Sequence, residues 1–229
     1  MPSAALLSLY AALAEIDALQ RANPSPLRGG GLARPQIVRA IGRAEIVLLV
    51  SHLERYLYAV NEEALQHILA CNLQASQVPE EIRLLHTRDP IDELTAMQWK
   101  NRGDKLRFYS TNEAGLWIDD RPVTSLVADR LLTWMKTPSC KSILRFFNMW
   151  GIGDVFAAVT RKPTTRKRLW LQIAVLVDKR NNIAHGDLTT QATYLDIVQY
   201  KTAVSTFCSR ADRRMARRLA VITDKAPLW

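Results

Sequence analysis

The spacing of apolar residues constrains the fold most, because it follows the period of an α-helix over most of the chain. Five stretches place apolar side chains every three to four residues, which is the pattern of a helix that buries one face. Since nearly every interpretable element is helical, we predict an all-α fold built as a helical bundle. The five stretches cover residues 4–21, residues from 35 onward, residues 139–150, residues 166–185 and a last helix reaching about residue 222.

Local signals place the ends of these helices. Pro35 suits the first position of the second helix, where its missing amide would be unpaired anyway. Asn61-Glu62-Glu63 either continues that helix or caps a new one. Gly186 ends the helix over 166–185, and Thr189 or Thr190 is the predicted cap of the last helix.

Two regions depart from the helical pattern. Residues 23–31, rich in proline and glycine, predict a flexible connector. Residues 77–137 contain three prolines, with a fourth directly after them at 138, and short apolar bursts, which predict short helices with or without one small hairpin within 106–120. We therefore predict one domain over residues 1–229, with an N-terminal helix at 4–21, core helices at about 35–76 and 139–222, and an inserted irregular or short-helix region at about 77–137.

The charge of the chain favours a polyanionic partner. Lysines and arginines number 31 against 22 acidic residues, for a formal net charge of +9 and a pI near 9.7. The field around such a protein attracts nucleic acid, although a merely soluble basic surface has the same composition.

Cysteine usage and hydropathy point to the cytoplasm. Cys71, Cys140 and Cys208 are odd in number and far apart, which argues against a disulfide framework or a zinc site. No apolar run approaches the roughly 20 residues that span a bilayer, and the N-terminus lacks the basic start of a signal peptide. We predict a cytoplasmic protein with no membrane partner, no metal and no cofactor.

The candidate chemistry lies in Arg180-Asn181-Asn182-Ile183-Ala184-His185, at the end of an apolar helix. Two consecutive asparagines are poor helix formers, which suggests that they are retained for a reason other than stability. Histidine can move protons near neutral pH, and arginine carries a fixed positive charge for a phosphate. RNA cleavage by the adjacent 2′-hydroxyl needs both groups and no metal. The alternative is that Arg180 and Asn181 only cap the helix end, where positive side chains complement the helix dipole.

Helix geometry limits how this motif can work. Residues advance by about 100° each, so Arg180 and His185 would point about 140° apart. One helix therefore does not bring both side chains to one phosphate unless its last turn is distorted or a second copy supplies the complement. The second option predicts a symmetric homodimer with the site at its interface.

The segment from Arg180 to Asp187 resembles the signature of HEPN domains, an arginine and a histidine four to six residues apart, with a polar residue directly after the arginine. HEPN domains are helical bundles with this motif near the end of a core helix. The stretches 44–57 and 142–154 are similar to the stand-alone branch named for RiboL-PSP and MAE-type sequences, and the resemblance runs loosely over about 35–210.

The resemblance implies a metal-independent endoribonuclease that acts as a homodimer, in a toxin–antitoxin, phage-defence or RNA-processing system. Carried over by position, it makes Arg180 and His185 catalytic and Asn181 a supporting residue. Glu54 matches an acid that faces the motif and orients the histidine in many members; taken alone, it would be a surface or ion-paired carboxylate. Some members carry a nucleotidylated tyrosine two positions after the histidine, where this chain has Asp187, so the resemblance does not extend to that mode of silencing.

Further basic and aromatic residues have two interpretations each. Two basic clusters either track an RNA backbone or are ordinary solvated helix faces. The tryptophans at 99, 117, 134, 150 and 170 lie at irregular spacing, which favours core packing over a base-stacking platform. The basic clusters contain Arg161, Lys162, Arg166, Lys167 and Arg168, and Arg213, Arg214 and Arg217.

Two functions follow from the sequence. The first is a HEPN-type endoribonuclease, a toxin or defence effector, with RNA as its substrate and an antitoxin or other protein as a further partner. The second is a non-catalytic HEPN-like module that uses the same residues to bind nucleic acid or a partner protein.

Overall fold

The computed structural model describes residues 1–22, 35–226 and 229. These residues form α-helices and short 3₁₀ turns without a β-strand, so the all-α prediction is confirmed. The predicted connector over 23–31 lies outside the described residues. The helices are α1 (Ala4–Ala22), α2 (Pro35–Ala70), α3 (Glu80–Ala96), α4 (Arg102–Asn112), α5 (Ala128–Leu132), α6 (Cys140–Met149), α7 (Val155–Val159), α8 (Pro163–Ala184) and α9 (Tyr194–Thr223).

Helix α2 is the central element of the bundle. Its 36 residues span about 54 Å, and it packs against α1, α5, α8 and α9. It begins at Pro35 as predicted and runs without a break through residues 61–63, so the continuous alternative is correct. The buried side chain of Asn61 donates a hydrogen bond to the Ala128 carbonyl at 3.3 Å, which attaches α5 to this helix.

Buried polar contacts dock the N-terminal helix onto the bundle. The hydroxyl of Ser3 hydrogen bonds with the buried Asp212 of α9. The amides of Ala4 and Ala5 donate to the carboxylate of Glu63 on α2, so an acidic side chain lies at the positive N-terminal end of α1. Helix α1 is therefore fixed to both α2 and α9.

The later helices begin at identifiable caps. Ser139 caps α6 by accepting a hydrogen bond from the Ser142 amide at 3.1 Å. Helix α8 begins at Pro163, three residues before the predicted start, with the proline in its first turn. Thr193 caps α9, so the predicted cap at Thr189 or Thr190 is wrong.

Aromatic side chains fill the centre of the core. Phe156 stacks on Phe207 at 5.0 Å between ring centroids, and Phe147 meets Phe207 edge to face at 6.2 Å. Trp150 is fully buried, as core packing predicts. The same prediction is wrong for Trp99, which is 83% exposed, and Trp117 and Trp170 are exposed as well, at 38% and 37%.

Residues 77–137 form longer helices than the sequence predicts. The predicted alternative of a small hairpin is wrong, because residues 106–110 lie in α4. Helix α3 runs through Pro90. A buried cluster joins the parts of this region: Glu113 lies 3.2 Å from Nδ1 of His86 and 2.7 Å from Nη1 of Arg130. Burial lowers the pKa of His86, with Arg130 acting in the same direction and Glu113 opposing it.

Candidate active site

The end of α8 has the geometry that its sequence predicts. His185 is the C-terminal cap, and its amide donates to the Asn181 carbonyl at 3.0 Å, so the helical pattern continues to this residue. Gly186 then adopts a φ of +87°, and the amides of Gly186 and Asp187 bond back to the carbonyls of Ile183 and Asn182. This is a Schellman motif, which requires a left-handed residue where the chain has glycine.

The regular last turn keeps Arg180 and His185 on different sides of the helix. Because the hydrogen bond from His185 to Asn181 is helical, the two side chains leave the axis about 140° apart. Arg180 is half-buried, whereas His185 is exposed beyond the helix end. One copy of α8 therefore presents the two groups to different surroundings.

Asn181 contacts the arginine directly. Arg180 Nη1 donates a hydrogen bond to Asn181 Oδ1 at 3.3 Å, and both side chains are half-buried. A hydrogen bond of this kind restricts a flexible guanidinium to fewer orientations. The resemblance implies a supporting role for Asn181, and this hydrogen bond is the contact through which that role would act.

Glu54 of α2 lies near Arg180. Burial raises the pKa of Glu54 above its usual 4.5, and the positive charge of Arg180 opposes that shift. The interaction acts through space, since no hydrogen bond or ion pair within 4 Å joins these two described residues. Among the described residues, no hydrogen bond or ion pair joins Glu54 to His185, so its role in orienting the histidine stays a prediction.

The loop after His185 is tightly bonded. Asp187 accepts hydrogen bonds from the amide and hydroxyl of Thr189, at 2.7 and 2.6 Å, and from the hydroxyl of Thr190 at 2.6 Å. These bonds lower the pKa of Asp187 to about 2. Arg43 of α2 donates to the Leu188 carbonyl at 3.3 Å, which attaches the loop to the central helix.

A cleft of about 630 Å³ opens beside Glu54, between α2 and α5. Tyr58 lines it, and burial and the charges of Glu54 and Asp129 raise the pKa of Tyr58. Glu62 lines it as well. Sequence reasoning missed these neighbours, although Glu54, Tyr58 and Glu62 follow one another at intervals of four residues and therefore share one face of α2.

The two basic clusters lie far from the motif. Arg166 is 19 positions before His185, about 30 Å along the axis of α8. Arg210 of α9 donates to the Val159 carbonyl at 3.4 Å, which brings the arginines of α9 to the same end as the start of α8. Both clusters therefore lie far along their helices from the end of α8 that carries His185. Arg161, Lys162, Lys167, Arg168, Arg213 and Arg217 are exposed, and Arg166 and Arg214 are half-buried.

Comparison with known families identifies the family of the chain. The sequence model of the RiboL-PSP-HEPN family matches residues 7–216, from α1 through most of α9. The chain belongs to the RiboL-PSP-HEPN family. The match is wider than the predicted resemblance over 35–210, because it includes most of α1 and extends past Arg213 and Arg214 of α9.

Two further comparisons found no relative of this RiboL-PSP-HEPN protein. No curated protein and no solved structure matches the chain. None of the described helices is long and apolar enough to cross a membrane. Within the described ranges, histidine, cysteine, aspartate and glutamate side chains form no group of three that could hold a metal ion.

Proposed function

We propose that this RiboL-PSP-HEPN protein is a metal-independent endoribonuclease that cleaves RNA through attack of the 2′-hydroxyl on the adjacent phosphate. The hydrogen-bonded pair of Arg180 and Asn181, one turn before the exposed His185, carries this proposal. Arg180 holds the scissile phosphate and stabilises the charge that develops on it, and Asn181 positions the guanidinium. His185 moves protons between the attacking and leaving oxygens.

The active form is a homodimer with the site at its interface. The opposite directions of Arg180 and His185 on a regular helix support this, because two copies of α8 related by a two-fold axis place each arginine near the other copy's histidine. The carboxylate of Glu54 lies near Arg180 and limits the orientations of the guanidinium. The basic clusters at the far end of α8 hold the RNA backbone away from the point of cleavage.

The cellular role that we propose is a cytoplasmic toxin or phage-defence effector, held in check by an antitoxin or other protein partner. We also propose that the described chain acts as one domain, in which residues 77–137 are an insertion between the core helices 35–76 and 139–222. Asp187 takes the position where some members have a nucleotidylated tyrosine, so we propose that this protein is inhibited by another route.

Cleavage of a labelled single-stranded RNA in the presence of EDTA tests the proposal. We expect products with 2′,3′-cyclic phosphate ends. We also expect His185→Ala and Arg180→Ala each to lower the cleavage rate by about 100-fold or more. A mixture of these two inactive variants separates the dimer from the monomer: complementary sites in a mixed dimer should recover part of the activity. Equal cleavage by parent and both variants refutes the assignment, and RNA binding without any cleavage favours a non-catalytic HEPN-like module.

A further inference from the structure

An exposed tryptophan borders a groove in the 77–137 region. Trp99 is 83% exposed, in the turn between α3 and α4, and the groove beside it has a volume of about 450 Å³. Leu94 and Leu106 give the groove apolar walls. Helix α4 has no buried residue, and its Phe108 is 53% exposed, so this face is not covered by the described part of the chain.

The guanidinium of Arg102 covers one face of the Trp99 ring. The guanidinium carbon of Arg102 lies 5.5 Å from the ring centroid of Trp99. Arg102 is fixed there because it donates to the Met97 carbonyl at 3.0 Å and to the Thr95 carbonyl at 2.9 Å. The high exposure of Trp99 leaves the rest of its ring surface open to a flat ligand.

The charge of the groove indicates the ligand. Lys100 and Arg102 line it together with Trp99, and no acidic residue does. Neither cation has an acidic partner within 4 Å among the described residues, whereas Lys105, on the same helix, pairs with Glu93 at 2.8 Å. Two uncompensated cations beside an exposed aromatic ring suit an anion that carries flat rings.

We infer that this groove binds single-stranded RNA, with a base stacked on Trp99 and the neighbouring phosphates held by Lys100 and Arg102. Stacking on an aromatic side chain accepts any base, and the cations follow the backbone. In an RNA duplex the bases are stacked on each other, so only an unpaired base can reach the ring. The inference deepens the proposed function, because it makes residues 77–137 a contact for the RNA that the α8 motif would cut.

Fluorescence anisotropy of a labelled oligouridine tests this in the His185→Ala background, where the RNA stays intact. We expect Trp99→Ala to weaken binding about tenfold, which corresponds to about 1.4 kcal/mol, and Trp99→Phe to retain most of the affinity. Lys100→Gln should lower the slope of log affinity against log salt by about 0.7. Affinity for a duplex of equal length should not change with Trp99→Ala.

The matched control is Val221→Ala, which removes an apolar side chain that is 72% exposed on α9. It should leave RNA affinity unchanged. Circular dichroism should show the parent's melting temperature for Trp99→Ala, since the exposed ring contributes little to the core.

Unchanged oligouridine affinity in Trp99→Ala would overturn the inference, and so would an equal loss of affinity for single-stranded and duplex RNA. If Trp99→Ala instead lost self-association at unchanged RNA affinity, the groove would be a protein interface. An RNA cleavage assay of the protein with His185 intact distinguishes failure of the groove assignment from failure of the proposed function. If the parent cuts RNA and Trp99→Ala binds normally, only the groove assignment fails. If the parent does not cut RNA but Trp99→Ala binds weakly, only the nuclease assignment fails.

Discussion

Arg180 Nη1 donates a hydrogen bond to Oδ1 of Asn181, its neighbour along α8, at 3.3 Å. If this contact positions the guanidinium, Asn181→Ala should lower the RNA cleavage rate about tenfold, since a hydrogen bond to a charged group contributes about 1.5 kcal/mol or more. The control is Asn182→Ala, which makes the same change at an exposed position whose side chain has no hydrogen bond in the described chain. Equal rates for the two variants would contradict the positioning role.

The proximity of Arg180 and Glu54 gives a second prediction. The positive charge of Arg180 lowers a pKa that burial raises, so Arg180→Ala should raise the pKa of Glu54 further. Arg180→Lys keeps the charge and should leave that pKa closer to the parent's. Carbon-13 NMR titration of the glutamate carboxyl groups measures both variants. A Glu54 that titrates identically in the two would mean that the arginine's charge does not reach it.

The helical core was predictable because its signals are local. Pro35 and Gly186 act through their own backbone conformation and Ser139 through its hydroxyl, and a buried face repeats its apolar residues at the helical period. The same is true of the backbone of the motif, because all six residues from Arg180 to His185 lie at one helix end. The predicted cap of α9 is wrong because three threonines, at 189, 190 and 193, compete within five residues, and the first two bond to Asp187 instead.

Residues 77–137 were hard to predict for the opposite reason. Helix α4 buries no residue, so it has no apolar stripe, and α3 accommodates Pro90 within its length. The residue pattern alone does not connect Glu54 with Arg180, because the two are 126 positions apart. The family resemblance named Glu54, and the packing of α2 on α8 places it near the arginine. Long-range packing of this kind leaves no periodic trace in the sequence.

Gly186 supports the helix end through its backbone conformation. Its φ is +87°, and a Cβ added there would meet no atom within 4 Å, so the cost of Gly186→Ala is conformational and not steric. We expect a loss of about 1 kcal/mol in the free energy of unfolding. Gly103→Ala is the control, because it also meets open space but lies in α4, where alanine is favoured over glycine. Urea denaturation should show Gly186→Ala destabilised and Gly103→Ala unchanged or more stable.

Glu45 makes the stability of the bundle depend on pH. It is buried on α2, its Oε1 has no hydrogen-bond partner, and burial raises its pKa from 4.5 to about 7. Between these two values the unfolded chain has lost the proton that the folded protein keeps, so the free energy of unfolding falls as pH rises and then levels off above about pH 7.

Glu45→Gln removes this titration while keeping the size of the side chain. The variant and the parent should melt at similar temperatures at about pH 4, below the unfolded pKa of 4.5, where Glu45 is protonated in both the folded and the unfolded state. Above about pH 7 the variant should be the more stable by on the order of 2 kcal/mol, because the parent then holds a buried carboxylate. Thermal melts across this range measure the difference. Parallel curves for the two proteins would show that Glu45 does not titrate with a raised pKa.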